Sequence, residues 1–498
     1  MVETELKFQV PRERRAAVAR AVATTRAERI RLQARYFDTA DARLADAGLA
    51  LRLRREGRSR WVQTLKGRGD GLMQRLEHGV VLPARGPVAL DLARHDGTPA
   101  GAALRAALGQ GANEAVLEER FATDILRTRR AVTAGAGQRV ELAFDEGFIV
   151  ARGQRAPVCE LEFELLAGTP AALLALAMRW VARHGLWLDV TTKAERGAAL
   201  ASASELAPPV RAAAPVLGPR MPPRRALAGM VQSCLAQMLP NMAGVASHPQ
   251  GMPVDEHVHQ LRIAIRRLRT ALREFGTAVP AVDPAWDAAL AATFSALGEQ
   301  RDRDIVAAVL AQARTSAQAD GFAVSAPTEA RSGDASAADA PRGRAFNQVL
   351  LALIGLVMTP PDAPDEGPDL RDAATKRLRR LHRRIGADIA RVDSFDDAQW
   401  HRLRKRLKRL RYSIEFVAPL YPRKAVARLL EPLRAAQEVM GQLNDVTLAL
   451  ALSREDAPPL AGEAFVRGWL VARRMARVEQ ATERLQRLAA APRFWRAR

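Results

Sequence analysis

Short runs in the first two hundred residues place charge at every second position, and this limits the possible folds more than any other property of the chain. Glu3, Glu5 and Lys7 alternate with Thr4, Leu6 and Phe8; Arg52 and Arg54 alternate with Leu51 and Leu53. Glu160, Glu162 and Glu164 alternate with Leu161, Phe163 and Leu165. Thr64 with Lys66, Arg75 with Glu77, Arg127 with Arg129, and Glu141 with Asp145 repeat the scheme. Residues two apart on a strand share a face, so each run reads as a strand with one charged and one apolar face. For a single strand, a charged face simply meets water. Here many strands carry charge, with cations and carboxylates grouped on separate strands. Apolar helical patterns at 12–23, 101–109 and 170–184 are available to cover the other face. A closed or nearly closed sheet, helices outside and charges inside, satisfies both conditions. Such a lumen needs a multiply charged anion for its Arg and Lys and a cation for its carboxylates. A metal together with a polyphosphate meets both needs.

Net charge points the same way. The chain has 76 Lys and Arg against 55 Asp and Glu, a net +21 that attracts polyanions. Residues 1–200 contribute +8 and the remainder +13, so there is no separate basic tail. Only seven cations are lysine: Lys7, Lys66, Lys193, Lys376, Lys405, Lys408 and Lys424. In so Arg-rich a chain, a lysine marks a place that needs a compact ammonium rather than a planar fork. Two cysteines, Cys159 and Cys234, are too few for a disulfide framework or a metal cluster and fit a reducing compartment. No run reaches the ~18–20 apolar residues of a membrane span. Glu3 and Glu5 stand where a signal peptide needs a basic flank, so a cytoplasmic protein is expected.

With ~100–200 residues per domain, the 498 residues suggest two or three domains. A Pro-rich stretch, ELAPPVRAAAPVLGPRMPPRR, reads as a semi-stiff connection with its linker at 206–221. The expected domains are therefore 1–205 and 222–495. Residues 313–345, dominated by Ala, Ser, Asp, Gly and Pro, predict a disordered insertion.

From 222 onward the pattern is helical and repeats. The segment His259–Phe275 returns as His401–Phe416, 142 residues on, and Asp302 returns as Asp445, 143 residues on. At ~100° per residue, His259, Arg262, Arg266, Arg269 and Arg273 share a sector beside an apolar stripe of Leu261, Ile265, Leu268 and Leu272. His401, Arg404, Lys408 and Arg411 repeat it beside Leu403, Leu407, Leu410 and Ile414. A third basic helix, Lys376–Arg384, adds His382. The two sectors lack the Glu at i+4 that would neutralise a solvated helix. They also lack aromatic residues, so they offer neither a membrane wedge nor a stacking platform for specific nucleic-acid binding.

Seven segments of the first half resemble the CYTH domain of the triphosphate tunnel metalloenzymes. They are ExExK at Glu3–Lys7, YFDT at Tyr36–Thr39, LRLR at Leu51–Arg54, WVQTLKG at Trp61–Gly67, VELAFDEG at Val140–Gly147, CELEFEL at Cys159–Leu165 and TTKAERG at Thr191–Gly197. The resemblance implies an α+β domain: an eight-stranded antiparallel β tunnel with outer helices. It would bind a triphosphate with Mg²⁺ or Mn²⁺ and hydrolyse it to phosphate and pyrophosphate. It implies Glu3, Glu5, Glu160 and Glu162 as metal ligands, hard oxygen donors suited to those ions. Lys7, Arg52, Arg54, Lys66, Arg127, Arg129 and Lys193 would bind phosphate, and Asp145 would orient an Arg or a water. Glu3, Glu5, Lys7 and Lys193 would be catalytic. RLEHG at Arg75–Gly79 departs from the pattern by lacking a second carboxylate, which places Arg75 and Glu77 below the others.

The second half resembles the CHAD domain, the conserved-histidine α-helical domain, in its paired His-led helices and its two Gly/Asp segments. That resemblance implies an all-α bundle with an internal twofold repeat whose basic surface binds inorganic polyphosphate. The implied contacts are His259, Arg262, Arg266, Arg267, Arg269, His401, Arg404, Lys405, Lys408, Arg409 and Arg411. An inorganic triphosphatase with a polyphosphate-binding module is expected, with polyphosphate granules as a possible place of association. Two alternatives are a polyphosphate-binding protein with little turnover, and a hydrolase or cyclase acting on thiamine triphosphate or ATP.

Overall fold

The computed structural model describes residues 2–69, 73–83, 88–109, 115–135, 137–203, 207–246, 254–279, 281–324, 337–359, 369–453 and 461–496. The chain forms two compact units. One comprises Met1–Arg211, Leu235–Gln260 and Ala338–Thr359; the other comprises Ala212–Cys234, Leu261–Ala337 and Pro360–Arg498.

In the first unit, eight antiparallel strands close into a barrel. They are β1 (Val2–Gln9), β2 (Glu28–Asp38), β3 (Leu49–Glu56), β4 (Arg60–Arg68), β5 (Gln74–Val81), β6 (Glu118–Thr133), β7 (Arg139–Ala151) and β8 (Gln154–Ala167). Their order is β5-β4-β3-β2-β6-β7-β8-β1, and β1 closes the ring by pairing Val2 with Leu76 and Glu3 with Arg75 of β5. A two-residue strand, β9 (Trp187–Leu188), adds to β1.

The outer face is apolar and covered by helices. Helix α1 (Arg15–Val22) packs on β6 and β7. On another side, Leu51 and Leu65 pack beneath Leu104 and Leu108 of α2 (Pro99–Leu108). Phe8 meets Phe163 edge to face at 5.4 Å, and Phe163 meets Trp180 of α3 (Pro170–His184) at 5.9 Å.

The inner face is not charged along its whole length. Near one end it carries Leu32, Ala34, Tyr36, Ile125, Ile149 and Val158, packed with Ala194, Ala198 and Ala201 of α4 (Lys193–Ser202). Thr192 and Glu195 start α4 with a capping box, and the helix seals this mouth. Gly197 makes the seal possible, because a Cβ there would lie 2.2 Å from the Phe121 ring.

The second unit is helical. Helix α5 (Pro223–Ala246) contributes residues to both units. It is followed by α6 (Asp255–Phe275), α7 (Trp286–Ala319), α8 (Arg344–Met358), α9 (Leu370–Ile389), α10 (Asp397–Val417), α11 (Arg423–Leu452) and α12 (Ala461–Ala490). Helix α8 belongs to the first unit, where it packs on α3 and Asn347 accepts a hydrogen bond from the Leu188 amide at 2.8 Å. The repeated segments fall on α6 and α10 and on α7 and α11. Leu261, Ile265 and Leu268 are fully buried, as are Leu403, Leu407 and Leu410.

The expected disordered insertion at 313–345 needs correction at both ends. Residues 313–319 complete α7, with Ala313 and Ala317 buried against Val446 and Val466, because the i, i+4 apolar stripe from Val306 continues through them. Pro341 is also buried, in a short 3₁₀ turn before α8. The remaining part, 325–336, lies outside the described residues.

Asp38 of the YFDT segment is structural. It accepts hydrogen bonds from the amides of Thr39 (2.7 Å), Leu44 (2.9 Å) and Ala45 (3.0 Å), tying the end of β2 to the turn that leads into β3. Asp38→Ala strands three donors, and urea unfolding should show a loss of about 2 kcal/mol.

Candidate active site

Strand register decides which charges meet inside the barrel. Lys66 opposes Glu77 across β4 and β5, Lys7 opposes Glu162 across β1 and β8, and Asp145 opposes both Arg127 and Glu160. Directly opposed residues on antiparallel strands point to the same face.

Two groups result. In the first, the Lys66 ammonium lies 3.2 Å from Glu3 and bonds Glu77, while Arg75 lies 3.4 Å from Glu5. Burial and a hydrogen bond with Glu77 push the Glu3 carboxyl up to about 7, against the pull of Lys66. Burial would also raise Glu77, but Lys66 and Arg52 outweigh it and hold Glu77 at about 2.

In the second group, the Lys193 ammonium sits 2.7 Å from Asp145 and 2.8 Å from Glu162 and also bonds Glu160. Arg127 grips Asp145 in bidentate fashion, at 2.6 and 2.7 Å, and reaches Glu162. Arg196, one turn into α4, bonds Glu160. Burial alone would raise the Glu160 carboxyl, yet Lys193, Lys7 and Arg196 carry it down to about 2.

Asp145, Glu160 and Glu162 each offer an oxygen within 4.8 Å of the other two, an all-oxygen set that suits a hard divalent cation. Glu3 and Glu5 fall outside this trio. Lys7 donates to the Thr191 carbonyl at the base of α4.

The remaining cations differ in setting. Arg52 donates to the Tyr36 hydroxyl at 3.2 Å, and Arg54 bonds Glu56. The Nε atoms of both arginines are buried without a hydrogen-bond partner. Burial and the neighbouring Arg52 push Arg54 down to about 10. Arg129 lies apart, its side chain 41% exposed and bonded to Glu28.

In the second unit, Arg262, Arg266, Arg404, Lys408 and Arg411 converge. Arg262 and Arg266 stack over Phe294 at 4.7 and 5.3 Å, and Arg262 reaches Asp302 at 3.4 Å. Gly298 allows this approach, because a Cβ there would meet the Arg262 guanidinium at 2.8 Å. In the second copy, Asp445 faces Arg404. Burial, then Arg266, Arg404, Arg411 and Arg262, drive Lys408 down to about 6. The Nε atoms of Arg266, Arg404 and Arg411 are buried without a hydrogen-bond partner, and that of Arg411 lies 3.8 Å from Glu415.

Other expected contacts lie elsewhere. Arg267 is buried and donates to the Ala213 carbonyl and Ser233; Arg269 pairs with Asp287; Arg409 reaches Glu274 at 3.7 Å. Lys405 is exposed, and His401 bonds Asn444 at 3.1 Å. His259 belongs to the part of α6 that groups with the first unit.

A CYTH domain model matches residues 1–198, and a CHAD domain model matches residues 229–454. The chain is a CYTH domain followed by a CHAD domain. The chain is 30% identical over 171 residues to an inorganic triphosphatase of Haemophilus influenzae, covering 34% of this chain and 45% of that protein. It therefore spans less than half the length of that curated relative. The crystal structure of a CHAD domain from the plant Ricinus communis is similar at 27% identity and TM-score 0.44, over 57% of this chain and 99% of that one. A putative adenylyl cyclase from Hippeastrum with a dominant triphosphatase activity is similar at 16% identity and TM-score 0.30, over 41% of this chain and 98% of that one. Among the described residues, no helix of either domain is long and apolar enough to cross a membrane.

Sequence reading missed Tyr36 and Phe294 as partners of site cations and Arg196 as a partner of Glu160, and it placed Arg75 and Glu77, which contact Glu5 and Lys66, below the other residues. The period-two pattern at Arg75 and Glu77 was the available signal.

The carboxyl shifts in the CYTH domain set a pH dependence. Glu3, at about 7 in the folded chain against an ordinary 4.5, takes up a proton on folding between those values, so stability falls as pH rises from 4.5 to 7. Glu77 and Glu160, both at about 2, act oppositely: their contribution is complete above 4.5 and lost on acidification toward 2. Glu3→Gln removes the first penalty. In metal-free buffer its Tm should exceed that of wild type by about 2–4 °C at pH 8 and match it near pH 4.5. Calorimetry at the two pH values tests this, and an equal or lower Tm at pH 8 refutes it.

Proposed function

We propose that the CYTH domain hydrolyses inorganic triphosphate to phosphate and pyrophosphate with Mg²⁺ or Mn²⁺, and that the CHAD domain binds inorganic polyphosphate. One observation carries the first part: Arg52 and Arg54 are adjacent guanidiniums with buried, unpartnered Nε atoms, facing the same lumen as an all-oxygen acid trio. Two such cations held together need an anion of high charge. A lumen so dense in charge has little apolar surface for a base or thiazole ring, which favours the inorganic substrate.

Phosphoryl transfer depends on positioning and charge neutralisation. In this reading Arg52, Arg54, Lys66 and Arg127 hold the phosphate oxygens from different strands, with Lys7 and Lys193 at the α4 end. Glu160 and Glu162, with Asp145, would hold the metal, joined by Glu3 or Glu5 as substrate enters. When bound, the ion neutralises charge on the phosphoryl oxygens. With Glu5 as the joining ligand, Glu3, near 7 in the metal-free chain, would be free to accept a proton from the attacking water at neutral pH. Lys193 is the resident counter-charge of the acid trio. The CHAD domain is read as a binder because, among the described residues, the five cations of its cluster meet few acids: Asp302, Asp445 and Glu415.

Purified full-length protein should release phosphate from triphosphate with Mg²⁺ or Mn²⁺, and EDTA should abolish the release. Lys66→Ala and Glu160→Gln should each lower kcat/KM by about 100-fold. Faster turnover of ATP or thiamine triphosphate, or formation of cyclic AMP, would reassign the substrate. Wild-type release no faster than that of Glu160→Gln would reduce the tunnel to a docking site.

For the CHAD domain, the double substitution Arg266→Ala/Arg404→Ala should weaken long-chain polyphosphate binding and flatten its salt dependence. Equal competition by duplex DNA at the same phosphate concentration would refute the choice of partner.

A further inference from the structure

The third basic helix, α9, takes part in neither site, yet one of its faces lines a cavity of about 570 Å³. Arg379, His382, Arg383 and Gly386 follow at i, i+3, i+4 and i+7 and so form a single stripe. Opposite them are Leu488 near the end of α12, and Arg493 and Trp495 beyond it; Leu410 of α10 completes the lining. Leu410 lies two residues from Lys408, ~200° around the helix, so the cavity is on a different side of α10 from the cationic cluster.

Three features indicate a ligand. First, Arg379 and Arg383 are exposed, and neither they nor Arg493 have a carboxylate partner among the described residues. Their helix neighbours differ: Arg377 donates to Thr277 at 2.8 Å and Arg380 to Glu274 at 3.1 Å. Second, apart from His382 the rest of the lining is apolar, and its aromatic wall is preformed. Trp495 packs edge to face on His382 at 5.6 Å and on Phe494 at 4.8 Å, and Phe494 packs on Tyr421 at 4.8 Å. Third, Gly386 lies within a helix, where glycine is costlier than any residue except proline. No packing demands it, because a Cβ there would meet no atom within 4 Å. The space beside Gly386 is open and forms part of the cavity.

We propose that this cavity binds a small organic phosphate, with its phosphate on Arg379, Arg383 and Arg493 and a flat or acyl body against Trp495 and the Gly386 face. Three guanidiniums lining one cavity suit a dianion better than a carboxylate. The volume lies within the ~300–1,000 Å³ of small-molecule sites and exceeds what inorganic phosphate needs. A polyphosphate chain, charged along its whole length, gains nothing from an apolar wall.

The test is equilibrium dialysis of the full-length protein with AMP, octyl phosphate and inorganic phosphate, in the presence of saturating triphosphate to occupy the tunnel and EDTA to prevent its hydrolysis. At least one organic phosphate should bind about tenfold or more tightly than inorganic phosphate. AMP as the tighter ligand identifies a nucleotide source, and octyl phosphate an acyl one. Gly386→Phe, which fills the space, and Arg379→Gln/Arg383→Gln, which alters exposed residues only, should each abolish that preference while leaving triphosphate turnover and Tm unchanged. No preference for the organic phosphates, or a preference that survives the Arg379→Gln/Arg383→Gln variant, overturns the proposal.

Discussion

Strand β1 pairs with two neighbours at once, with β8 along Glu5–Gln9 and with β5 along Val2–Thr4. Without the second pairing, the charged face of the sheet would lie open to water, and its ions would be worth little to one another. With it, eight strands share one interior of restricted solvent access, where charges act strongly. The observed pairings follow: Lys66 lies between Glu3 and Glu77, and Lys193 among Asp145, Glu160 and Glu162. The carboxyls held near 2 and near 7 within one barrel reflect the same closure.

The fold was largely legible because both of its periods are strong. Alternation marked the barrel strands, and apolar stripes marked α1, α2 and α3 close to their observed limits. The repeat paired α6 with α10. Alternation, however, tells which face a residue occupies and not how far along the barrel it lies. That depends on register, and β2 shifts register between Tyr36 and Phe37. The apolar end of the lumen under α4 was therefore invisible, as were the contacts of Arg196 and Tyr36. The spread within the CHAD list has a similar cause. Arg267 follows Arg266 by one residue, yet ~100° of rotation turns it into the bundle toward Ala213 and Ser233. Disorder at 313–345 was read from composition, which could not register that alanines at 313 and 317 continue a buried stripe.

The two domains handle surplus positive charge by different means. In the CYTH domain most of the lumen cations have carboxylate partners, so a phosphate bound there as proposed would exchange with an existing ion pair. In the CHAD cluster the cations mainly face one another. Phe294 accepts Arg262 and Arg266 on its ring, Asp302 and Asp445 relieve one arginine in each copy, and Lys408 is left with its charge disfavoured near neutrality. There, an anion bound as proposed would relieve repulsion that already exists.

The α4 seal gives the barrel a floor. Ala194, Ala198 and Ala201 lie over the apolar end, and Gly197 meets Phe121 too closely for any side chain to intervene. The interior is then a cup rather than a pipe. If a linear phosphate binds here as proposed, it would enter end first with its leading phosphate near Lys193 and Arg196, and the products would go back out past the residues that admitted it. The depth of the cup, more than its bore, would then measure the length of chain that fits.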